Sequence, residues 1–140
     1  MEKSRKISKV LSKNDTGETG GHQAGILIPK DKRILSFFPK LGNDKKNPRV
    51  QLCFTDDNGV DWIFVYIYYN NWFFGGTRNE YRLTRMTKYI RSNVLLENDQ
   101  IILYLDEKGQ RRITCNKSNE KNGKVNDVLR INKSWKIINF

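Results

Sequence analysis

The stretch "RVQLCFTDDNGVDWIFVYIYY", Arg49 to Tyr69, reads as two β-strands joined by a tight turn. Val50, Leu52 and Phe54 recur at every second residue, which places them on one face of an extended chain. After Asp61 the run "WIFVYIYY" is apolar or aromatic throughout, as in a strand covered on both faces. "TDDNG" between the two runs is turn chemistry, because Asp and Asn bond back to their own backbone and Gly tolerates positive φ. "QIILYLDEKGQRRITC", Gln100 to Cys115, repeats the design: Ile101, Leu103 and Leu105 alternate, Glu107 to Gly109 turn, and a return strand runs through Ile113 and Cys115. Further strands are expected at Ile7 to Leu11, Ala24 to Ile28, Val125 to Ile131 and Trp135 to Phe140, which makes seven or eight. Helical spacing is scarce. "PKDKRILSFFPKLG" carries Ile34, Leu35, Phe37 and Phe38 between two prolines, and a second short helix fits Met86 to Ile90. Many short strands with few helices predict a mainly β chain, a small barrel in preference to a sandwich.

The 140 residues suit one domain, 1–140. The chain carries 26 Lys and Arg against 15 Asp and Glu, a formal charge of +11. That excess points to a polyanion, either nucleic acid or an anionic membrane surface. No apolar run approaches the ~18 residues that span a bilayer, and the basic start "MEKSRKISKVLSK" leads into "NDTGETGG" with no signal-peptide core. A soluble, cytoplasmic protein with no membrane partner is the expectation. Cys53 and Cys115, the two cysteines, have neither zinc-site spacing nor the density of a disulfide scaffold, and both are expected as reduced core residues. Asn116 to Lys124 reads as a polar loop.

Catalytic constellations are sparse. Asp106 and Lys108 have the D-x-K spacing of Mg²⁺-dependent nucleases, with Asp56, Asp57 and Asp61 as possible further ligands. The competing reading is that "LDEKG" makes a hairpin turn, which its residue types favour. His22 is the one histidine, so two-histidine phosphodiester chemistry and a Ser-His-Asp triad have no support. "GETGGH" lacks the Lys and Ser/Thr of a phosphate-binding loop. No catalytic residue and no metal site is assigned.

The basic residues are patterned. In "GGTRNEYRLTRMTKYIRS", Gly75 to Ser92, Arg78, Arg82, Arg85, Lys88 and Arg91 stand against the single acid Glu80. Arg, Asn and Glu are the side chains with specific partners on guanine, adenine and cytosine in the major groove. In an extended chain Arg78, Glu80 and Arg82 point the same way at about 6.6 to 6.8 Å spacing, near two base steps of about 3.4 Å. A solvated strand whose Arg and Glu pair with each other is the alternative. The carboxylate favours base reading, because phosphates repel it whereas base amino groups do not. Trp72, Phe73 and Phe74 precede this segment and are expected as core rather than as stacking platforms for single strands. "SKNDTGETGGHQAGILIPK", Ser12 to Lys30, is a glycine-rich polar loop that Asn14, Asp15 and Thr16 can brace through side-chain to backbone bonds.

"KVLSKNDTGETGGHQAGILIPK", followed some fifty residues later by "FGGTRNEYRLTR", closely resembles the N-terminal effector-binding domain of the EcoRII family of restriction endonucleases, from about Lys9 to Gly109. The resemblance implies a seven-stranded open β-pseudobarrel with two short helices, similar to the plant B-three transcription-factor domain. It implies that duplex DNA is gripped in the major groove between an N-arm, Ser12 to Gln23, and a C-arm, Gly75 to Arg82. Arg78, Asn79, Glu80 and Arg82 would then read bases from the C-arm, and His22 and Asp15 from the N-arm. Lys9, Lys13, Asn14, Thr16, Gln23, Thr77, Tyr81 and Arg85 would hold phosphates or brace the arms. The family pattern has lysines where Gly76 and Tyr81 stand and a tyrosine where Leu27 stands. Its pentanucleotide CCWGG is the site the resemblance implies. DNA binding would need no cofactor, Mg²⁺ serving only the nuclease domain of a parent enzyme, and the isolated domain is expected as a monomer. A small nuclease using Asp106 and Lys108, or a non-specific nucleic-acid-binding module, are the other readings.

Overall fold

Two hairpins built on the same turn chemistry form the centre of the sheet. The computed structural model describes residues 6–18, 25–118 and 135–138. Strands β3 (Arg49–Thr55) and β4 (Asp61–Tyr69) pair antiparallel from Thr55↔Asp61 to Arg49↔Ile67. In their turn, Asp56 Oδ1 accepts from the backbone N–H of Asn58 (2.8 Å) and Val60 (2.9 Å). Strands β6 (Gln100–Leu105) and β7 (Arg111–Asn116) repeat it, with Asp106 Oδ1 accepting from Lys108 N and Gln110 N, each at 2.9 Å. Gly59 and Gly109 take φ of +80° and +79° in the two turns, where a Cβ would be strained.

The hairpins join through one parallel bridge, Thr55↔Arg112. Arg112 reinforces the junction by donating from Nε to Thr55 O (3.2 Å) and from Nη2 to Asp56 O (3.3 Å). Around them lie β1 (Lys6–Val10), β2 (Ile26–Ile28), β5 (Glu80–Thr84) and β8 (Trp135–Ile137), in the order β2-β5-β4-β3-β7-β6-β1-β8. The edge strands β2 and β8 share no ladder. The Trp135 indole instead donates to Leu27 O at 3.0 Å, so a side chain ties the two free edges of an open pseudobarrel.

The interior is aromatic. Phe64, Tyr66 and Tyr68 alternate inward from β4, and Phe38 stacks on Tyr66 at 4.5 Å between ring centroids. Helices α2 (Lys32–Leu35) and α3 (Thr87–Ser92) cover the barrel with Ile34, Tyr89 and Ile90. Both lie close to the two expected helices.

Several expectations are corrected. Eight strands occur among the described residues, within the seven or eight read from the sequence and one more than the seven the resemblance implies. A third helical turn, α1 (Lys13–Thr16), lies within the loop expected to be irregular. Cys53 is exposed, because it faces outward opposite Ile63 (47% exposed), and no element among the described residues covers that side of the hairpin; Cys115 is half-buried against the core. β4 is accordingly covered on both faces only from Phe64 to Tyr68. Trp72, Phe73 and Phe74 are not core but 46–48% exposed, because the chain leaves the sheet into a 3₁₀ turn at Asn71–Phe74. The strand expected at Val125 to Ile131 lies outside the described residues.

Candidate nucleic-acid interface

The C-arm is a short excursion between β4 and β5 with a fixed base. Asn70, fully buried, accepts from Asn47 N through Oδ1 (2.7 Å) and donates from Nδ2 to Lys45 O (2.8 Å), so the arm is rooted in the loop before β3. Across its neck Trp72 N donates to Arg78 O at 3.1 Å, and Gly76 N to Asn71 O at 2.9 Å. A Cβ on Gly76 would lie 3.0 Å from Asn71 Cβ, so a larger residue at this bend requires Asn71 to shift slightly.

Register then brings the charged residues together. Tyr69 pairs with Glu80, and Ile67 with Arg82. Arg78 lies over the Tyr69 ring, its guanidinium carbon 3.7 Å from the centroid, a cation–π contact that holds the plane of the fork. Glu80 Oε2 accepts from Arg78 Nη2 at 2.8 Å and from Arg82 Nε at 2.7 Å. Burial works to raise the Glu80 carboxyl, but hydrogen bonds and charge from Arg82 and Arg78 outweigh it and hold the group below its ordinary value. The cluster carries a net positive charge, and one carboxylate oxygen orients two guanidiniums.

Arg82 also spans the two arms. Its Nη1 donates to Gly25 O at 2.9 Å. Gly25 has φ +94°, and a Cβ there would fall 2.6 Å from Leu83 O, so the close approach of β2 to β5 at the arm roots requires glycine. A small cleft lined by Asp15, Gly25, Ile26, Arg85, Met86 and Thr87 opens at this seam.

The described part of the N-arm is built locally. Ser12 caps α1: its Oγ accepts from Asp15 N (3.1 Å), and the Asp15 carboxylate accepts from Ser12 N (3.0 Å), a reciprocal capping box. Lys9 Nζ pairs with the same carboxylate at 2.9 Å, with side chains only 8% and 9% exposed. Glu18 Oε2 accepts from Thr16 Oγ1 and Glu97 N, each at 2.7 Å. Glu18 thereby links the arm to the loop before β6.

The structure thus places Arg78, Glu80 and Arg82 in one cluster, and Lys9 with Asp15 in another. Asn79 accepts a hydrogen bond from Tyr68, Tyr81 stacks on Tyr68 at 4.2 Å, and Thr77, Lys13 and Asn14 are exposed. Arg85 is exposed at φ +65°. His22 and Gln23 lie outside the described residues. Tyr68, Tyr69 and Gly25 shape the site without having been singled out in the sequence; only the β4–β5 register and a long-range contact bring them to it. Asp106 is occupied in its hairpin, and no group of three or more His, Cys, Asp or Glu among the described residues could hold a metal ion. Among the same residues no helix is long and apolar enough to cross a membrane.

Known proteins are similar to this chain. The family model described as "Restriction endonuclease EcoRII, N-terminal" matches residues 3–129. The chain belongs to the EcoRII N-terminal domain family. The Type II restriction enzyme EcoRII of Escherichia coli is 38% identical over 107 residues, covering 72% of this chain and 26% of the enzyme. The chain thus spans about a quarter of that enzyme's length. Among solved structures, a chain of the Arabidopsis FUS3-DNA complex superposes with a TM-score of 0.60 at 21% identity, covering 79% of this chain and 94% of that one. That likeness shows that the EcoRII-type domain has the pseudobarrel of the plant B-three class.

Proposed function

We propose that this EcoRII-type domain is the effector, or target-recognition, module of a restriction endonuclease, and that it reads a short duplex sequence through the major groove. The observation that carries the reading is the Arg78–Glu80–Arg82 cluster. It is a set of preoriented guanidinium forks on an arm of a strongly basic domain, and such forks suit the adjacent acceptors of guanine. The solved complex of the similar FUS3 fold with DNA supports the partner, and the EcoRII relationship supports a CCWGG-like site.

In this reading lysines and arginines of the barrel supply salt-dependent attraction to phosphates, while the arms supply discrimination. The domain binds as a monomer, needs no cofactor and performs no chemistry; cleavage belongs to a separate Mg²⁺-dependent domain of a parent enzyme in the bacterial cytoplasm. Competition gel shifts at fixed salt, with CCWGG duplexes and every single-base variant, test it. One duplex should bind best, and Arg78→Ala should flatten the preference by about 1 to 3 kcal/mol at the base it meets. Equal affinity for scrambled duplexes would overturn the proposal.

A further inference from the structure

The C-arm contains a hydrogen-bond chain whose direction is set by its first member. The Trp72 indole has one N–H and no acceptor. It lies 3.2 Å from the Tyr68 hydroxyl, so that oxygen accepts there and its own proton goes elsewhere. The Asn79 side chain, 2.8 Å away, receives it. An amide meets an O–H donor only with its carbonyl oxygen, so Asn79 turns Oδ1 to Tyr68 and leaves the two hydrogens of Nδ2 for a partner beyond. The donor-only indole at the head of the chain is what assigns Oδ1 to the Tyr68 side, since it leaves the hydroxyl proton for Asn79. Tyr68 cannot swing to follow a flipped amide, because it is buried and stacks on Tyr81 at 4.2 Å and 7°. Asn79 lies between Arg78 and Glu80 on the arm, immediately before β5.

We propose that Tyr68 and Trp72 are specificity-determining positioning residues that lock Asn79 as a hydrogen-bond donor toward DNA, so that the arm selects guanine over adenine at the base pair Asn79 meets. The inference rests on the duplex-reading function proposed above. An unconstrained Asn recognises adenine with both ends of its amide, oxygen to N6 and nitrogen to N7. Oδ1 keeps a second lone pair, but with that end of the amide held at the buried Tyr68 hydroxyl it cannot swing to set oxygen on N6 and nitrogen on N7 together, and Nδ2 meets the adenine amino group donor to donor. Guanine offers two neighbouring acceptors, N7 and O6, which an amide –NH₂ satisfies.

The test is competition binding at fixed salt over all single-base variants of the preferred duplex, for the wild-type chain, Asn79→Ala, Tyr68→Phe, Trp72→Phe and the double variant Tyr68→Phe/Asn79→Ala. Asn79→Ala should reduce guanine-over-adenine discrimination about tenfold at one base pair, the effect of one well-formed hydrogen bond. Tyr68→Phe should weaken discrimination at that same base pair, because the freed amide can turn to adenine. The double variant should be no worse than Asn79→Ala alone. Trp72→Phe, at an exposed position, should act in the same direction and serves if Tyr68→Phe melts. Placing 7-deazaguanine at that base pair should weaken the wild-type chain and leave Asn79→Ala unchanged. A uniform loss of affinity across all duplexes in Tyr68→Phe and Trp72→Phe would reduce the pair to a structural role and overturn the proposal. So would a wild-type preference for adenine at the Asn79 base pair, or no change in discrimination in Asn79→Ala. A wild-type chain with no duplex preference at all would instead refute the function on which the inference rests.

Discussion

The two arms hold polar groups in place by opposite means. In the N-arm the reciprocal cap of α1 lies within three residues, Ser12 with Asp15. Beyond it, the Lys9 ammonium is buried against Asp15 and Glu18 accepts from Glu97 N. In the C-arm the Arg78–Glu80–Arg82 pairs are two residues apart, but the frame that holds them comes from across the sheet or further: Glu80 is set beside Tyr69 by strand register, Asn70 bonds Asn47 and Lys45, and Arg82 reaches Gly25. The N-arm depends on its cap, the Lys9–Asp15 pair and the Glu18–Glu97 contact. The frame of the C-arm depends on the sheet beneath it.

The largest expected effect breaks the N-arm alone. Asp15→Ala leaves the Lys9 ammonium buried without its carboxylate and should destabilise the fold by about 3 kcal/mol. Urea unfolding reads this directly, and replacing the pair together, Lys9→Met with Asp15→Leu, should recover most of the loss; equal destabilisation by both would show the pair to be immaterial. A middling effect comes from Ser12→Ala, which removes the cap and should cost about 1 kcal/mol, with increased hydrogen exchange confined to α1. Exchange that spreads into β5 would mean the arms are not independent.

The smallest effect concerns the C-arm and pH. Because the Glu80 carboxyl lies below its ordinary value of 4.5 in the folded chain, its contribution is complete above that value and is lost as pH falls through the lowered one. The contribution should stay below about 1 kcal/mol, since the cluster is partly solvated. Glu80→Gln should therefore lower the neutral value by up to that amount and match the wild type once Glu80 is protonated, which flattens the acid limb slightly. An unchanged acid limb would refute the coupling.

The hairpins were legible because their information is local. "TDDNG" and "LDEKG" specify turns through Asp side chains that bond to N–H groups two and four residues on, and alternation specifies the faces of β3 and β6. The basic arm was legible as a pattern of residue types, and the geometry holds the pairing that the alternative reading expected: Arg78 and Arg82 both pair with Glu80. The exposure of Cys53 was not legible, because alternation says which residues share a face but not whether another layer covers that face. Trp72, Phe73 and Phe74 misled for a related reason: the apolar run continues past the point where the chain leaves the sheet.

The amino-acid sequence by itself determined the mainly β character and the two hairpins, which rest on spacing within about ten residues, and the basic balance, which is a matter of composition. Only the tertiary structure decided that β2 and β8 are tied by Trp135, that Gly25 brings the arm roots together through Arg82, and that Tyr68 directs Asn79. Those contacts join residues 108, 57 and 11 positions apart. Their energies appear only once register and sheet curvature have set the distances, and no local pattern encodes that.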